Sequence, residues 1–344
     1  MANMVKTREV FGPIPRKRGG FGKWLIEDPF ANYFTFTTMR SKSKKHEQDI
    51  FGYLSEHHAG NFLINEPLDR HTWYGIGGPA SYFVFPQSRD LLVRLLQKCK
   101  EWQIAQFVIG EGANLLVNDR GFDGMVISLA GFRSIARNDT TVQAGAGCTL
   151  RNLVLFCERN GLSGVQFLSG IPGTVGGALT MNAGIDQGAI GDCVSEVTFI
   201  DANAGVGRLS RQQIAFGYRS APELQDKVLL GCTLKMKPQD ESVLRETRIE
   251  MLKKRAAKQP LEFGSCGSVF KRPAGHYVGR MVEDAGLKGV RRGDAMVSEK
   301  HGGFIVNLGG ARAEDVMYLI ELVRDEVYKR YSVQLEPEVR FLGF

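Results

Sequence analysis

The chain lacks several features that would assign it at once to a membrane, to secretion or to metal chemistry. No apolar run is long enough to span a bilayer, and no apolar segment follows the first charges as in a secretory signal. Its six cysteines form no C-x-x-C pair, which argues against a zinc site, and we expect no metal. Scattered thiols are typical of a reducing compartment, so we expect a cytoplasmic protein.

Charge is unevenly distributed along the 344 residues, whose formal net charge is +7. Residues 1–50 carry ten Lys or Arg and five Asp or Glu, so this stretch holds +5 of the excess. Basic runs of this kind are usually solvated tails rather than nucleic-acid sites. We therefore expect no nucleic-acid partner, and the length predicts two or three domains.

Hydrophobic periodicity divides the chain into consecutive parts. Residues 1–60 lack sustained periodicity, which predicts an extension outside the catalytic body, with disorder as one alternative. From residue 61 a β-α-β start, a mostly β stretch and a helix-rich stretch follow, and together they predict an α+β fold. The predicted boundaries are 61–126 for a first subdomain, 127–238 for a second, 239–335 for a third, α+β domain, and 336–344 for a C-terminal strand.

Capping residues and apolar spacing predict the principal elements. Ser88 and Thr149 are expected to cap two helices, the second of which ends at Gly161. The other predicted elements are strands at Ser81–Phe85 and Ala105–Ile109, helices at Ser242–Lys258, Val278–Ala285 and Ala313–Tyr331, and a strand-like end at Val333–Leu342.

Three glycine-rich segments predict a ligand that approaches the backbone closely. Gly75–Ala80 matches a dinucleotide-binding pattern only superficially, because the pattern should open a helix and a strand follows here. Gly110–Leu115 follows a predicted strand, and its backbone N–H groups are suited to an anion. Ser169–Ala178 holds four glycines and two hydroxyl side chains. The last two loops together favour a large, flat, phosphate-bearing ligand over simple tight turns.

The segment Gly264–Ser268 combines two glycines with two serines and a thiol. A serine held in this way can be aimed at a ligand, although a plain turn before a strand is the alternative. Cys266 is a rival proton donor to Ser268, because a thiol is more acidic than a hydroxyl. If the segment is extended, the two side chains share one face.

The order of these motifs resembles that of a known enzyme family. Thr72–Gly78, Gly110–Leu115 and Ile171–Gly177 resemble the FAD-binding half of vanillyl-alcohol oxidase-type flavoproteins. The later motifs are similar to those of the UDP-N-acetylenolpyruvoylglucosamine reductase family, in its shorter subclass, over residues 61–344. These later motifs are Phe216–Ser220, Lys258–Pro260, Gly267–Pro273 and Leu335–Arg340.

The resemblance implies an architecture, a cofactor and a set of site residues. Two FAD-binding subdomains are followed by a substrate-binding domain, and the C-terminal strand brings Glu338 to the active site. It implies catalytic roles for Ser268, Arg219 and Glu338, and substrate contacts at Tyr218, Lys258, Lys271 and Arg272. It implies FAD contacts at Thr72, Gly77, Gly78, Gly110, Glu111, Gly112, Ala113, Asn114, Leu115, Ser169, Gly170, Ile171, Pro172, Gly173, Thr174, Gly176, Gly177, Ala178 and Arg340.

The implied reaction has two stages. NADPH reduces the flavin, and the reduced flavin then passes hydride to the enolpyruvyl sugar, while Ser268 supplies the proton. Glu338 could act as a protonated acid or as a carboxylate that orients Arg219 or water. An FAD-dependent oxidase or dehydrogenase of the same fold is the alternative enzyme, and a non-catalytic nucleotide-sugar binder is the alternative from another class. We expect a monomer.

Overall fold

The computed structural model describes residues 44–344. Helix α1 (Lys44–His57) lies inside the segment that the sequence predicts to be an extension. Its Ile50 and Leu54 are fully buried and belong to the core cluster that also contains Leu92 and Leu95. The prediction is therefore wrong for residues 44–57, because two apolar side chains one helical turn apart dock this helix on the core. The rest of that prediction, residues 1–43, lies outside the described residues.

The first subdomain combines one sheet with helix α2 (Arg89–Glu101). Its sheet has the order β1-β2-β5-β3, in which β1 is antiparallel to β2 and the other neighbours are parallel. Ser88 caps α2 as predicted, since its side chain accepts a hydrogen bond from the N–H of Leu91. The strands are β1 (Phe62–Pro67), β2 (Pro79–Val84), β3 (Gln106–Ile109) and β5 (Phe122–Ser128), while β4 (Leu115–Val117) lies outside this sheet.

The second subdomain is an antiparallel sheet with two helices. Its strand order is β9-β8-β10-β7-β6. Thr149 caps α3 (Leu150–Arg159) as predicted. Only the first part of the predicted glycine loop at 169–178 is a loop. Its second part belongs to a short helix, α4 (Val175–Thr180), which Thr174 caps. The strands are β6 (Ile135–Asn138), β7 (Thr141–Gly145), β8 (Val194–Ile200), β9 (Val206–Ser210) and β10 (Val228–Lys235).

The third domain is built from three helices and a small sheet, and its helices lie within one residue of the predicted bounds. Glu158 of α3 is 3% exposed, and it accepts hydrogen bonds from Arg248 of α5 at 2.6 and 3.2 Å, which ties this domain to the second subdomain. No helix in the described range 44–344 is long and apolar enough to cross a membrane. The elements are α5 (Glu241–Lys258), α6 (Val278–Asp284), β11 (Ala295–Val297), β12 (Ile305–Asn307) and α7 (Ala313–Tyr331).

The chain end returns to the first subdomain. Of the predicted strand Val333–Leu342, only β13 (Arg340–Leu342) forms, and it pairs in parallel with β4. The prediction is wrong for the first part because Pro337 has no N–H to contribute to a ladder, and it makes only an isolated bridge to Phe270. The pairing of β13 with β4 places Glu338 beside the loop at 110–115.

Candidate active site

An ion pair joins two segments that are far apart in sequence. The Nε–H of Arg219 donates to Oε1 of Glu338 at 2.6 Å, and the two side chains are 23% and 14% exposed. Arg219 occupies a tight turn that is closed by hydrogen bonds between Gly217 and Ser220. Its φ of +52° is in the left-handed region, which costs a non-glycine residue about 1–3 kcal/mol and is found mainly at functional sites.

The segment that carries Ser268 runs beside the segment that carries Glu338. The N–H of Glu338 donates to the carbonyl of Val269 at 2.7 Å, and the N–H of Lys271 donates to Glu336 at 2.9 Å. This backbone pairing places the predicted catalytic residues Ser268, Arg219 and Glu338 in one site. The hydroxyl of Ser268 is half-buried and donates to the carbonyl of Phe270 at 3.1 Å.

Burial and charge act in opposite directions on Glu338. Burial raises the pKa of its carboxyl group above the ordinary value, while the charge and hydrogen bond of Arg219, followed by the charge of Lys271, lower it. Burial is the larger effect, so the pKa is raised. In their hydrogen bond Arg219 donates and Oε1 of Glu338 accepts. This arrangement suits the deprotonated carboxylate of Glu338.

Cys266 is buried, in contrast to the half-buried Ser268. It is 4% exposed, burial raises the pKa of its thiol to about 12, and it contacts the fully buried Tyr74. The expected sharing of one face with Ser268 fails because Gly267 between them has a φ of +82° and interrupts the extended backbone. Ser268 is therefore the available proton donor of the two.

His301 is a neighbour of Ser268 that sequence reasoning missed. A Cβ atom built at Gly303 would lie 3.5 Å from the Ser268 hydroxyl and 3.2 Å from Nδ1 of His301. That nitrogen accepts a hydrogen bond from the N–H of Gly303, which leaves the proton on Nε2. Burial lowers the pKa of His301. A histidine followed by two glycines is the local signal that could have identified it.

The three predicted cofactor stretches at 72–78, 110–115 and 169–178 converge. A Cβ at Gly112 would lie 2.2 Å from the carbonyl of His71, and one at Gly110 would lie 2.5 Å from Oγ1 of Thr174. The carboxylate of Glu111 also accepts the N–H of Gly173 at 2.8 Å, so this side chain joins two loops. The glycines at these contacts are required for the loops to pack on one another.

Two other glycines of the same loops are less crowded. A Cβ at Gly173 would lie 3.8 Å from Cβ of Ala113, and one at Gly177 would lie 3.7 Å from Oγ1 of Thr174, which are ordinary van der Waals distances. Gly77 and Gly78 differ, because a Cβ there would meet Val117 at 2.8 Å and Asp119 at 2.3 Å. Gly173 and Gly177 are therefore the loop glycines with more room for a ligand.

Two arginines near these loops form no ion pair with any acid in the described part of the chain. The Nε of Arg255 is buried without a hydrogen-bond partner, and its Cδ lies 2.9 Å from a Cβ built at Gly170. Burial lowers the pKa of Arg255, as does the nearby charge of Arg219. Burial also lowers the pKa of Arg340, which donates to Gln225 at 3.2 Å. Buried cations without counter-charges are matched by an anionic ligand.

A cavity of about 330 Å³ lies between the second subdomain and α5. Lys254, Arg255 and Lys258 line it from the helix together with Glu250, which forms an ion pair with Lys254 at 2.6 Å. Ser169 and Gln187 line it from the other side. Only Lys258 and Ser169 were among the predicted site residues. The spacing of Lys254 and Lys258, one helical turn apart, is the sequence signal that would have extended the prediction.

The other predicted substrate residues lie at the edge of the site and already have partners. The hydroxyl of Tyr218 accepts the N–H of Arg272 at 3.1 Å, and the Arg272 side chain pairs with Asp186 at 2.7 Å. Lys271 pairs with Glu336. If Ser268 donates its proton, an alkoxide is left behind. Lys271 or Arg272 could stabilise that alkoxide only after its own ion pair had broken.

This arrangement defines the class of the protein. Two subdomains present converging glycine loops, and the second also supplies Arg219. The third domain adds Ser268, and the chain end adds Glu338. A family model described as "FAD binding domain" matches residues 80–210. A second, described as "UDP-N-acetylenolpyruvoylglucosamine reductase, C-terminal domain", matches residues 259–342. The predicted fold class and the predicted cofactor FAD are confirmed, and the protein is a flavin-dependent oxidoreductase.

Relatives narrow the class to one family. UDP-N-acetylenolpyruvoylglucosamine reductase 2 of Symbiobacterium thermophilum is 44% identical over 287 residues, covering 83% of this chain and 93% of that protein. The Caldanaerobacter subterraneus reductase is 40% identical over 286 residues, covering 83% and 94%. The crystal structure of the Thermus caldophilus reductase superposes with a TM-score of 0.71 at 34% identity, covering 82% of this chain and 98% of that one. The chain belongs to the UDP-N-acetylenolpyruvoylglucosamine reductase family, as its motifs predicted.

The residues present fit FAD. Its pyrophosphate needs backbone N–H groups and cations, which the glycine loops and Arg340 offer. Its flat ring system needs a surface without bulky side chains, and Gly173 and Gly177 provide such positions. The individual FAD contacts named from the sequence stay predictions.

Proposed function

We propose that the protein catalyses the NADPH-dependent, FAD-mediated reduction of UDP-N-acetylenolpyruvoylglucosamine to UDP-N-acetylmuramate, a step of peptidoglycan precursor synthesis. The observation that carries this proposal is the convergence of Ser268 with the Arg219–Glu338 ion pair beside loops that fit FAD. An oxidase of the same fold would have no need for a cation and a proton donor placed together.

FAD, when bound, supplies the redox chemistry by taking hydride from NADPH and passing it to the terminal alkene carbon of the sugar. The chain has to stabilise the negative charge that develops on the neighbouring carbon and its carboxylate. Arg219 is suited to this task because guanidinium is permanently charged and can bind a carboxylate through two hydrogen bonds. Its Nε–H is committed to Glu338, so its terminal nitrogens are the groups that would bind the substrate.

Glu338 then acts as the carboxylate that orients Arg219. This assignment is supported by the 2.6 Å contact, in which the carboxylate is the acceptor. Ser268 gives its proton to the carbon next to the substrate carboxylate. Its hydroxyl donates to Phe270 in the resting site, so it has to rotate toward the substrate before the transfer.

The substrate's anionic groups are assigned to the cationic side of the cavity. Lys258 lines this cavity together with Lys254 and Arg255, and such a cluster attracts phosphate. Tyr218, Lys271 and Arg272 remain proposed contacts at the opposite edge. We also propose that the protein is monomeric. We propose further that it works in the cytoplasm, and this is supported by its six buried cysteines, which are all free thiols.

The proton-donor role is tested by separating the two half-reactions in a stopped-flow instrument. Ser268→Ala should slow reoxidation of the flavin by the enolpyruvyl sugar about 10²- to 10⁴-fold, the usual contribution of a general acid. Flavin reduction by NADPH should stay within about threefold, because the serine acts only in the second stage.

Cys266→Ala is the matched control, two positions away on the same segment. It should leave both half-reactions within about threefold, since the thiol is buried and protonated at neutral pH with a pKa of about 12. Equal losses in both half-reactions of Ser268→Ala, or a large loss in Cys266→Ala alone, would show that the proton comes from elsewhere.

A further inference from the structure

A buried asparagine holds the turn that presents Arg219. Asn182 is 7% exposed and has a φ of +43°. Its side-chain amide donates to the carbonyl of Gly217 at 2.8 Å, and its side-chain oxygen accepts the N–H of Gly191 at 3.0 Å. Both the nitrogen and the oxygen of the Asn182 side chain therefore form hydrogen bonds, and the nitrogen holds Gly217, the first residue of the turn.

The turn needs this support because its conformation is unfavourable by itself. Arg219 has a left-handed φ, which a side chain rarely adopts unless the surroundings impose it. Asn182 follows helix α4 and the glycine loop before it, so the hydrogen bond to Gly217 connects the cofactor side of the site to Arg219.

A second asparagine holds the other half of the ion pair. The side-chain amide of Asn114 donates to the carbonyl of Glu338 at 3.0 Å, and the carbonyl of Asn114 accepts the N–H of Arg340 at 3.1 Å. On its other side, the N–H of Glu338 is held by Val269. The backbone at Glu338 is thus fixed between a cofactor loop and the segment that carries Ser268.

We propose that Asn114 and Asn182 are the positioning residues of the Arg219–Glu338 pair, an inference that rests on the function proposed above. Each belongs to the cofactor side of the site. The side-chain amide of Asn114 donates to the backbone of Glu338, and that of Asn182 donates to the backbone of Gly217, two residues before Arg219. The side-chain donor of Asn114, named from the sequence as a cofactor contact, is committed to Glu338. The two residues align the pair for the oxidative half-reaction without touching the substrate.

Asn114→Ala and Asn182→Ala, prepared with FAD bound, test this proposal. Each should slow reoxidation of the flavin by the enolpyruvyl sugar about 10- to 100-fold, because a misplacement of about 1 Å can cost a factor of 100. Flavin reduction by NADPH and the dissociation constant for FAD should each change less than about threefold. Asn182→Ala combined with Arg219→Lys should be no slower than Arg219→Lys alone, since Asn182 acts through Arg219.

Asn160→Ala is the matched control. Its side-chain amide also donates to a backbone carbonyl, that of Phe156 at 2.8 Å, but at the end of α3. It should leave both half-reactions unchanged. Equal losses in both half-reactions of the test variants, or loss of FAD, would assign the asparagines to the general fold or to the cofactor and overturn the proposal.

Crystal structures of the two variants with FAD give a readout that does not depend on the sugar. The distance from Arg219 Nε to Glu338 Oε1, now 2.6 Å, should lengthen beyond hydrogen-bonding range or become variable. An unchanged contact in both variants would overturn the positioning roles. A wild-type enzyme whose reduced flavin does not react with the sugar would instead contradict the proposed function, while the crystal structures would still decide the role of the asparagines.

Discussion

The glycine loops and the charged cluster meet at one site but are constructed differently. In the loops around Gly110–Leu115 and Ser169–Ala178, the absence of side chains brings backbones together, and Gly173 and Gly177 are less crowded positions. In the cluster, Ser268, Arg219 and Glu338 are partly buried side chains whose backbones are fixed by hydrogen bonds from other segments. The loops therefore act through shape, and the cluster acts through charge and its placement.

This difference separates the two kinds of substitution experiment. A change at a loop glycine should alter cofactor affinity. A change in the cluster, or at the asparagines Asn114 and Asn182 that support it, should alter one half-reaction with the cofactor still bound. Each of the following predictions tests whether substitutions in the loops and in the cluster have these different effects.

Apart from Ser268→Ala, the largest effect is expected in the cluster for Arg219→Lys. A lysine keeps the charge but loses the planar fork that can hold Glu338 and a substrate carboxylate together. Reoxidation of the flavin by the sugar should fall about 10²- to 10³-fold, which is the cost of losing one donor aimed at developing negative charge. Stopped-flow absorbance of the flavin measures this rate, and FAD affinity should stay unchanged.

Arg208→Lys is the control for Arg219→Lys. Arg208 forms an exposed ion pair with Glu196 at 3.4 Å, on a strand of the second subdomain, and its replacement should leave both half-reactions unchanged. Loss of FAD from Arg219→Lys would contradict the comparison, because a charged residue of the cluster would then be needed for the cofactor.

A smaller effect is expected in the loops, for Gly177→Ala. The added methyl group meets no protein atom closer than 3.7 Å, and alanine is favoured over glycine in a helix by up to about 1 kcal/mol. The protein without FAD should therefore be as stable as the wild type or more so. If FAD fills the space beside Gly177, its affinity should fall about tenfold or more, since overpacking costs about 1–3 kcal/mol.

Gly52→Ala in helix α1 is the control, because nothing lies within 4 Å of a Cβ at that position. It should stabilise the protein by a similar amount and leave FAD affinity unchanged. The two measurements are a thermal melt of the protein without FAD and a flavin fluorescence titration. Unchanged FAD affinity in Gly177→Ala would mean that the cofactor does not use this part of the loop.

Local signals in the sequence were sufficient for much of the fold. Ser88 and Thr149 cap their helices as predicted, because a cap depends on residues within one turn. The docking of α1 was missed, since Ile50 and Leu54 are its two fully buried apolar residues in the described range, and two such residues make a weak periodic signal. The strand expected at Val333–Leu342 failed because a proline interrupts its backbone bonding.

For the site, the sequence supplied residue identities but not their orientation. Ser268 and Cys266 are equivalent in a plain extended strand, and only the positive φ of Gly267 separates them. The bond from Asn114 to Glu338 joins residues 224 positions apart, so no local pattern indicates it. Contacts of this kind depend on how the chain end returns to the first subdomain.

The smallest effect is expected on stability, for Glu338→Gln. Burial holds the pKa of Glu338 above its ordinary value. The folded protein therefore binds this proton more tightly than the unfolded chain does, and the carboxyl group stabilises the fold less as pH rises from about 4.5 through the raised pKa. Glutamine has no proton to lose, so the variant should gain melting temperature relative to the wild type above this window and not below it.

Melting curves from pH 4 to pH 8 measure this difference, with Glu196→Gln as the control. Glu196 lies in the exposed pair with Arg208, and its replacement should shift the melting temperature little at any pH. A gain for Glu338→Gln at neutral pH, together with slow reoxidation of the flavin, would show that the charged cluster lowers stability for the sake of catalysis. A loss of stability at neutral pH would mean instead that the bond to Arg219 outweighs the burial of the carboxylate, and the cluster would then support the fold.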